Sequence, residues 1–236
     1  MKFSAPIFRL KREARVMARR KSITLSQSLD EIAAREGFRS WSHLSSAGRE
    51  TGPSVSLLSA LAPGDMVILG ARPGHGKTVL GLELLAEAAR TGRYSVFFSS
   101  ECSYRDVRSK LSDSGYHELE QTGKFRIELT DSVCARTIRE ALANATPGTI
   151  AVIDYLQVMD QQRSQPPLGD QIDDLRRFAT MQCATLVFLS QVHRSFDPQT
   201  KAVPGFADVR STNPVDLSLF NKGCFLHDGE IVLTAH

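Results

Sequence analysis

A lysine and a threonine directly after a glycine, Gly76-Lys77-Thr78, close a bend that begins at Gly70-Ala71-Arg72-Pro73-Gly74-His75 and follows the apolar run Met66-Val67-Ile68-Leu69. Residues of these types at this spacing bind phosphate. Glycines at 74 and 76 let the backbone curl so that successive N–H groups face an anion, and a helix starting there adds the positive end of its dipole. Lys77 would reach the β- and γ-phosphates of ATP, and the Thr78 hydroxyl would ligate Mg²⁺. The expected nucleotide-binding residues are therefore Ala71, Arg72, Pro73, Gly74, His75, Gly76, Lys77 and Thr78, a P-loop with Ala71 in place of its first glycine. A merely tight strand-to-helix connection would use the glycines but has no need of the Lys-Thr pair.

Two further apolar runs end in carboxylates. Thr149-Ile150-Ala151-Val152-Ile153 leads into Asp154, the arrangement of a Walker B strand whose aspartate holds Mg²⁺. Val96-Phe97-Phe98-Ser99-Ser100 leads into Glu101, a candidate base for polarising an attacking water. Each could instead be an ordinary strand end, with Glu101 capping the helix that follows. A third run, Leu186-Val187-Phe188-Leu189-Ser190, presents the uncharged amide of Gln191, able to sense a γ-phosphate or orient water. In open α/β sheets, ligands bind at the carboxyl ends of the strands, where all of these residues fall.

The elements that must position them alternate strand and helix, which predicts an α/β fold with a mostly parallel sheet covered by helices on both faces. Strands are predicted at 66–69, 94–99, 125–129, 149–153 and 185–189, and helices at 77–90, 104–112, 135–143 and 169–181. A terminal hairpin is predicted for 224–226 and 231–233, because Asp228-Gly229 between short apolar runs is a turn signal. With 236 residues and 42% hydrophobic content the chain can bury a substantial core.

Charge divides the chain unevenly. The first 50 residues hold 11 Lys/Arg against 5 Asp/Glu, and the remainder 18 against 21, so a basic appendage on a near-neutral core is expected. Ile7, Leu10, Ala14, Met17 and Ala18 recur at helical spacing with Arg9, Lys11, Arg12, Arg15, Arg19 and Arg20 on the other faces. Ser26 reads as the N-cap of a second helix ending near Gly37, and a short third helix should begin near Ser40; Phe8, Leu29, Phe38 and Trp41 would form a mini-core. The expected organisation is a helical module over 1–48, a linker over 49–60 and an ATPase core over 61–236. Three roles for the module stay open: contact with nucleic-acid phosphates through Arg9, Lys11, Arg12 and Arg15, docking on an ATPase core, or a solvated face. No apolar run reaches the roughly 20 residues of a membrane span, and a cytoplasmic protein is expected. Cys102, Cys134, Cys183 and Cys224 lack metal or disulfide spacing and read as reduced thiols.

Ala71-Arg72-Pro73-x-x-Gly76-Lys77-Thr78, Glu101 after a Ser-rich strand end, Ile153-Asp154-Tyr155-Leu156-Gln157 and Leu189-Ser190-Gln191-x-x-Arg194-Ser195 resemble, in order and spacing, the motifs of the RecA-like ATPase domain of DnaB-type replicative helicases. The entry phrase Leu61-Ala62-Pro63-Gly64-Asp65 is similar as well. The resemblance runs from about Ala62 to Leu233. It implies a RecA-like P-loop fold, Mg-ATP hydrolysis with Lys77, Thr78, Glu101, Asp154 and Gln191 in the roles given, and single-stranded DNA held by loops at 161–168 and 193–213, with Arg163, Arg194, Lys201 and Arg210 as phosphate contacts. It also implies a homo-oligomer, hexameric in that family, and a role in replication or repair. The sequence shows neither that family's N-terminal collar domain nor its C-terminal Lys-x-Arg finger; such a finger is worth about 10³ to 10⁵ in rate, so slow intrinsic hydrolysis or a finger from a protein partner is expected. A nucleotide-dependent regulatory switch of the same fold, without unwinding, is the alternative.

Overall fold

The computed structural model of the chain describes residues 4–5, 7–50, 52–116, 119–160, 165–210, 213, 215–228 and 230–236. Among these, seven strands form one sheet: β1 (Met66–Ala71), β2 (Ser95–Ser99), β3 (Phe125–Leu129), β4 (Ile150–Asp154), β5 (Thr185–Gln191), β6 (Lys222–His227) and β7 (Glu230–Ala235). Their spatial order is 3-2-4-5-1-6-7, and every pairing is parallel except β6 with β7. The mostly parallel sheet expected from the alternation is the sheet observed.

The central strands read as unbroken apolar runs because both of their faces are covered. Along β1, Val67, Leu69 and Ala71 point into one core with α5 (Lys77–Arg90), while Met66 and Ile68 point into the other with α7 (Ala135–Leu142) and α8 (Leu168–Gln182). The period of two along the strand thus divides one apolar run between two cores. α6 (Tyr104–Asp113) leaves the end of β2 under a capping box, Ser103 with Asp106.

The basic segment forms α1 (Ile7–Lys21), α2 (Leu25–Arg35) and α3 (Trp41–Glu50) around a third cluster: Leu10, Ala14, Ile32, Ala33, Phe38 and Leu44. Of the expected mini-core, Phe38 is buried and Leu29 and Trp41 pack against it; the Phe8 side chain lies outside the described residues. The second helix is capped by Thr24 rather than Ser26. The Thr24 hydroxyl accepts the Gln27 N–H while the Gln27 side chain takes the Thr24 N–H, a reciprocal pairing that Ser26 does not make.

The stretch expected to be a linker is largely helical. α3 runs through Glu50, and Pro53–Ala60 forms α4, started by Pro53 in the first turn and held by Leu57 in the core below α5. Proline there brings a helical φ and has no N–H to leave unpaired.

Close to α4, α5 carries two acids facing inward. The Tyr116 hydroxyl donates to Glu87 Oε1 at 2.5 Å, and burial, opposed by a hydrogen bond from Ser114 and helped by the Glu87 charge, pushes the Glu83 carboxyl up to about 7. A carboxyl with a raised folded-state pKa contributes stability that is complete below its ordinary value and is lost as pH rises through the folded value. Stability should therefore fall between about pH 4.5 and pH 7. Glu83 keeps some contact with solvent, which trims the fall to about 2 kcal/mol. Thermal melts of Glu83→Gln across pH 4–8 should lack that fall; a matching slope in the variant would remove Glu83 as its source.

Candidate nucleotide site

β1 delivers Ala71 to the carboxyl edge of the sheet, and the chain turns through Arg72–Gly76 into α5. Gly74 and Gly76 sit at φ of +81° and +91°, in the left-handed region that side chains with a Cβ avoid. Gly76 is the N-cap of α5 and supplies no side-chain cap, so the first-turn N–H groups are left for an anion.

Thr78 and Lys77 open α5, and Asp154 closes β4. The Thr78 hydroxyl donates to Asp154 Oδ2 at 3.1 Å, joining the two groups expected to hold Mg²⁺. Asp154 is 6% exposed. Burial raises its carboxyl above the usual range; Lys77 and the Thr78 hydrogen bond oppose this, and the Glu101 charge adds to it. Lys77 thus favours the carboxylate form of Asp154, and a hard cation would find oxygen donors from Thr78 and Asp154 beside an uncapped helix terminus. The residues present fit Mg²⁺ carried in with a nucleotide. Among the described residues no other cluster of His, Cys, Asp or Glu could hold a metal.

Asp154 pairs in register with Ser99, the last residue of β2. The Ser99 hydroxyl accepts the N–H groups of Glu101 and Cys102, at 3.2 and 3.1 Å, which lifts the chain off the sheet and leaves Glu101 exposed beside Asp154. Tyr155 links the two halves of the site. Its ring centroid lies 5.9 Å from Lys77 Nζ, and burial first, then the charge of nearby Glu101, raise its phenol above the ordinary range. Tyr155 stood in a recognised motif, yet nothing in its position announced this contact.

Gln191 ends β5 directly beside Ala71. Its Oε1 accepts from Arg210 Nη1 at 3.3 Å, and its carbonyl accepts the Arg210 N–H at 2.8 Å. Gln157 reinforces this corner, with Nε2 donating to Ser190 Oγ at 2.9 Å and to the Arg210 carbonyl. Lys77, Thr78, Asp154 and Glu101 form one contiguous group through Tyr155, while Gln191 stands on the same edge and faces the loop after β5.

The other predicted contacts are distributed differently. The Arg72 side chain turns onto that loop, donating to the carbonyls of Arg194, at 3.1 Å, and Phe196. Burial first, then His227, hold the His75 imidazole below its ordinary pKa, so it is neutral near pH 7. Arg194 is exposed, Lys201 pairs with Asp208 at 3.0 Å, and Arg163 lies outside the described residues. In α1, Arg9 pairs with Asp228 at 3.1 Å, Lys11 with Asp113 at 3.2 Å and Arg15 with Asp113 at 2.6 Å, while Arg12 is exposed. Burial would raise Asp113, but Arg15 and Lys11 outweigh it and hold the carboxyl low.

Residues 56–117, which include the P-loop, α5, β2 and Glu101, match the model of the DnaB-like helicase C terminal domain. Over these residues the chain is similar to that domain. The replicative DNA helicase DnaB of Mycoplasma genitalium is 22% identical over 215 residues, 76% of this chain and 44% of that protein. Among solved structures, one ATPase domain superposes with a TM-score of 0.57 at 16% identity, over 74% of this chain and 81% of that one. A DnaB-like replicative helicase, solved in a study of its interactions with primase, superposes with a TM-score of 0.58 at 17% identity, over 92% of this chain and 64% of that one. The chain spans less than half the length of the curated relatives it matches. The core has the RecA-like P-loop ATPase fold expected from its motifs, and none of the helices in the described residues is long and apolar enough to cross a membrane.

Proposed function

We propose that this DnaB-like protein binds and hydrolyses Mg-ATP and works on or beside single-stranded DNA in replication or repair. The observation that carries the reading is the Thr78–Asp154 hydrogen bond beside Lys77 at the uncapped start of α5. In it, Gly74, Gly76 and Lys77 bind the phosphates, Thr78 and Asp154 hold Mg²⁺, Glu101 takes the proton of the attacking water, and Gln191 orients that water or reads the γ-phosphate. Mg²⁺ would supply charge neutralisation on the phosphates. The relatives are replicative DNA helicases, which supports the DNA role. An arginine finger from a further copy or a protein partner would speed hydrolysis.

The deciding experiment is steady-state ATP hydrolysis with and without single-stranded DNA, with Lys77→Ala as the blank. Stimulation of about tenfold or more is expected. A rate at the blank level in a protein that still binds ATP would replace this reading with a nucleotide switch.

For DNA contact, Arg194, Lys201 and Arg210 on the loop after β5 are the proposed phosphate partners, with Arg12 of α1. Arg9, Lys11 and Arg15 already face core carboxylates, which favours docking for that side of the helix. Alanine at 194, 201 and 210 together should lower the slope of log affinity against log salt by about two, at about 0.7 per single-strand phosphate. Alanine at 9, 11 and 15 should leave the slope unchanged and lower stability instead, since partly exposed pairs contribute up to about 1 kcal/mol each. Titrations at several salt concentrations check both; a slope lost with the α1 residues would reassign them to DNA.

A further inference from the structure

The P-loop of this chain is gripped from outside by a ladder of rings. Arg72, at its start, lies 5.4 Å from the centroid of the Phe196 ring and donates to the carbonyls of Arg194 and Phe196. Phe196 meets His227 edge to face at 5.2 Å, and His227 stacks on His75 at 4.9 Å with the rings 12° from parallel. His75 is the residue between the two left-handed glycines. The turn after β6 closes the grip, with the Asp228 N–H donating to His75 Nδ1 at 3.4 Å. Two points of the P-loop, Arg72 and His75, are thus tied to two other elements, the loop after β5 and the end of β6.

Among the described residues the P-loop makes few contacts within itself. Its internal backbone bond is the His75 N–H to the Arg72 carbonyl, and the space where a Cβ of Gly74 would stand is empty to 4 Å. The ladder, by contrast, is set in packed structure: Phe196 is 4% exposed and His227 8%. His227 Nδ1 is buried without a hydrogen-bond partner, so ring packing rather than a polar bond to that nitrogen orients it. β6 lies beside β1, with Leu226 opposite Ala71, which brings His227 level with the P-loop.

We propose that Phe196 and His227 are positioning residues that hold the P-loop in its phosphate-binding shape by clamping Arg72 and His75. The proposal rests on the nucleotide reading above. It assigns work to a residue far from every recognised motif, His227, and to one just past a motif, Phe196. Stacked and edge-to-face rings of this kind exceed their burial in strength and fix relative orientation, which is what a loop bent around an anion requires. A curled loop that must be re-formed on binding weakens apparent affinity by the fraction of time it is misshapen.

The test is the affinity of a fluorescent ATP analogue for the full chain, with Lys77→Ala as reference. His227→Ala is expected to weaken binding about tenfold, with kcat at saturating ATP within about twofold, whereas His227→Phe, which keeps a ring, should bind within about twofold of wild type. Phe196→Ala should also weaken binding about tenfold, and the double alanine variant should be no weaker than either single one, because either change opens the same ladder. Phe196→Leu and His227→Phe, with thermal melts of all variants, guard against simple loss of folding. Unaltered affinity in both alanine variants, additive losses, or a His227→Phe protein as weak as His227→Ala would each overturn the proposal. If the wild type shows no Lys77-dependent affinity, the nucleotide reading falls and this one with it; Lys77-dependent affinity indifferent to both rings overturns this one alone.

Discussion

Glutamine in place of Glu101 is expected to leave ATP bound and unhydrolysed. Glu101 is the carboxylate that the Ser99 turn lifts to the solvent side of the site, next to Asp154 and near the Tyr155 phenol. A glutamine keeps an acceptor for that phenol and nearly the same shape, so the local structure should survive. What it loses is the ability to take a proton, a contribution of about 10² to 10⁴ in rate for a positioned general base. The change also removes a negative charge that now raises the Asp154 carboxyl, so nucleotide binding should hold or tighten slightly. Single-turnover hydrolysis with bound ATP measures the first effect and an ATP titration the second. A hydrolysis rate within about threefold of wild type would place the base elsewhere.

Alanine at Lys77 is expected to weaken nucleotide binding by about a hundredfold or more. The side chain offers charge-assisted hydrogen bonds to phosphate, worth about 1.5 to 3 kcal/mol each, at a site with no second lysine in the loop. A second consequence follows from its neighbour. Asp154 is raised by burial and lowered by Lys77, so removing the lysine lets the carboxyl rise further and protonate at a higher pH. Residual Mg-dependent binding should then fall off, as pH is lowered, earlier than in wild type. Calorimetric titration across pH 5–8 tests both statements. Unchanged affinity would end the P-loop assignment, and an unshifted pH dependence would detach Lys77 from Asp154.

Much of this site lies in stretches that the sequence organises locally. Gly74, Gly76, Lys77 and Thr78 must lie close in sequence for a backbone loop to cradle phosphate, so spacing alone marks them as candidates. Asp154, Glu101 and Gln191 each follow an apolar run, and in a parallel sheet such runs end on one edge. The register then places Asp154 beside Ser99 and Gln191 beside Ala71. Helix α4 was hidden for the opposite reason. Its eight residues are rich in serine and open on the proline of Gly52-Pro53, a local signal for a turn, and packing of Leu57 beneath α5 overrides it.

The N-terminal cations show the same limit. Periodicity marks α1 as basic and amphipathic, yet cannot say what its charges meet. Arg9 reaches Asp228 across 219 residues and Arg15 reaches Asp113 across 98.

The sequence by itself determined the class of fold and marked the candidate phosphate loop, because such a loop and a buried parallel strand are both written in short runs of neighbouring residues. Only the tertiary structure decided which groups steady that chemistry: Tyr155 between Lys77 and Glu101, Gln157 and Arg210 around Gln191, and Phe196 and His227 against the P-loop. Those contacts join side chains from separate strands and loops, and they exist only once long-range pairing has brought the strand ends together.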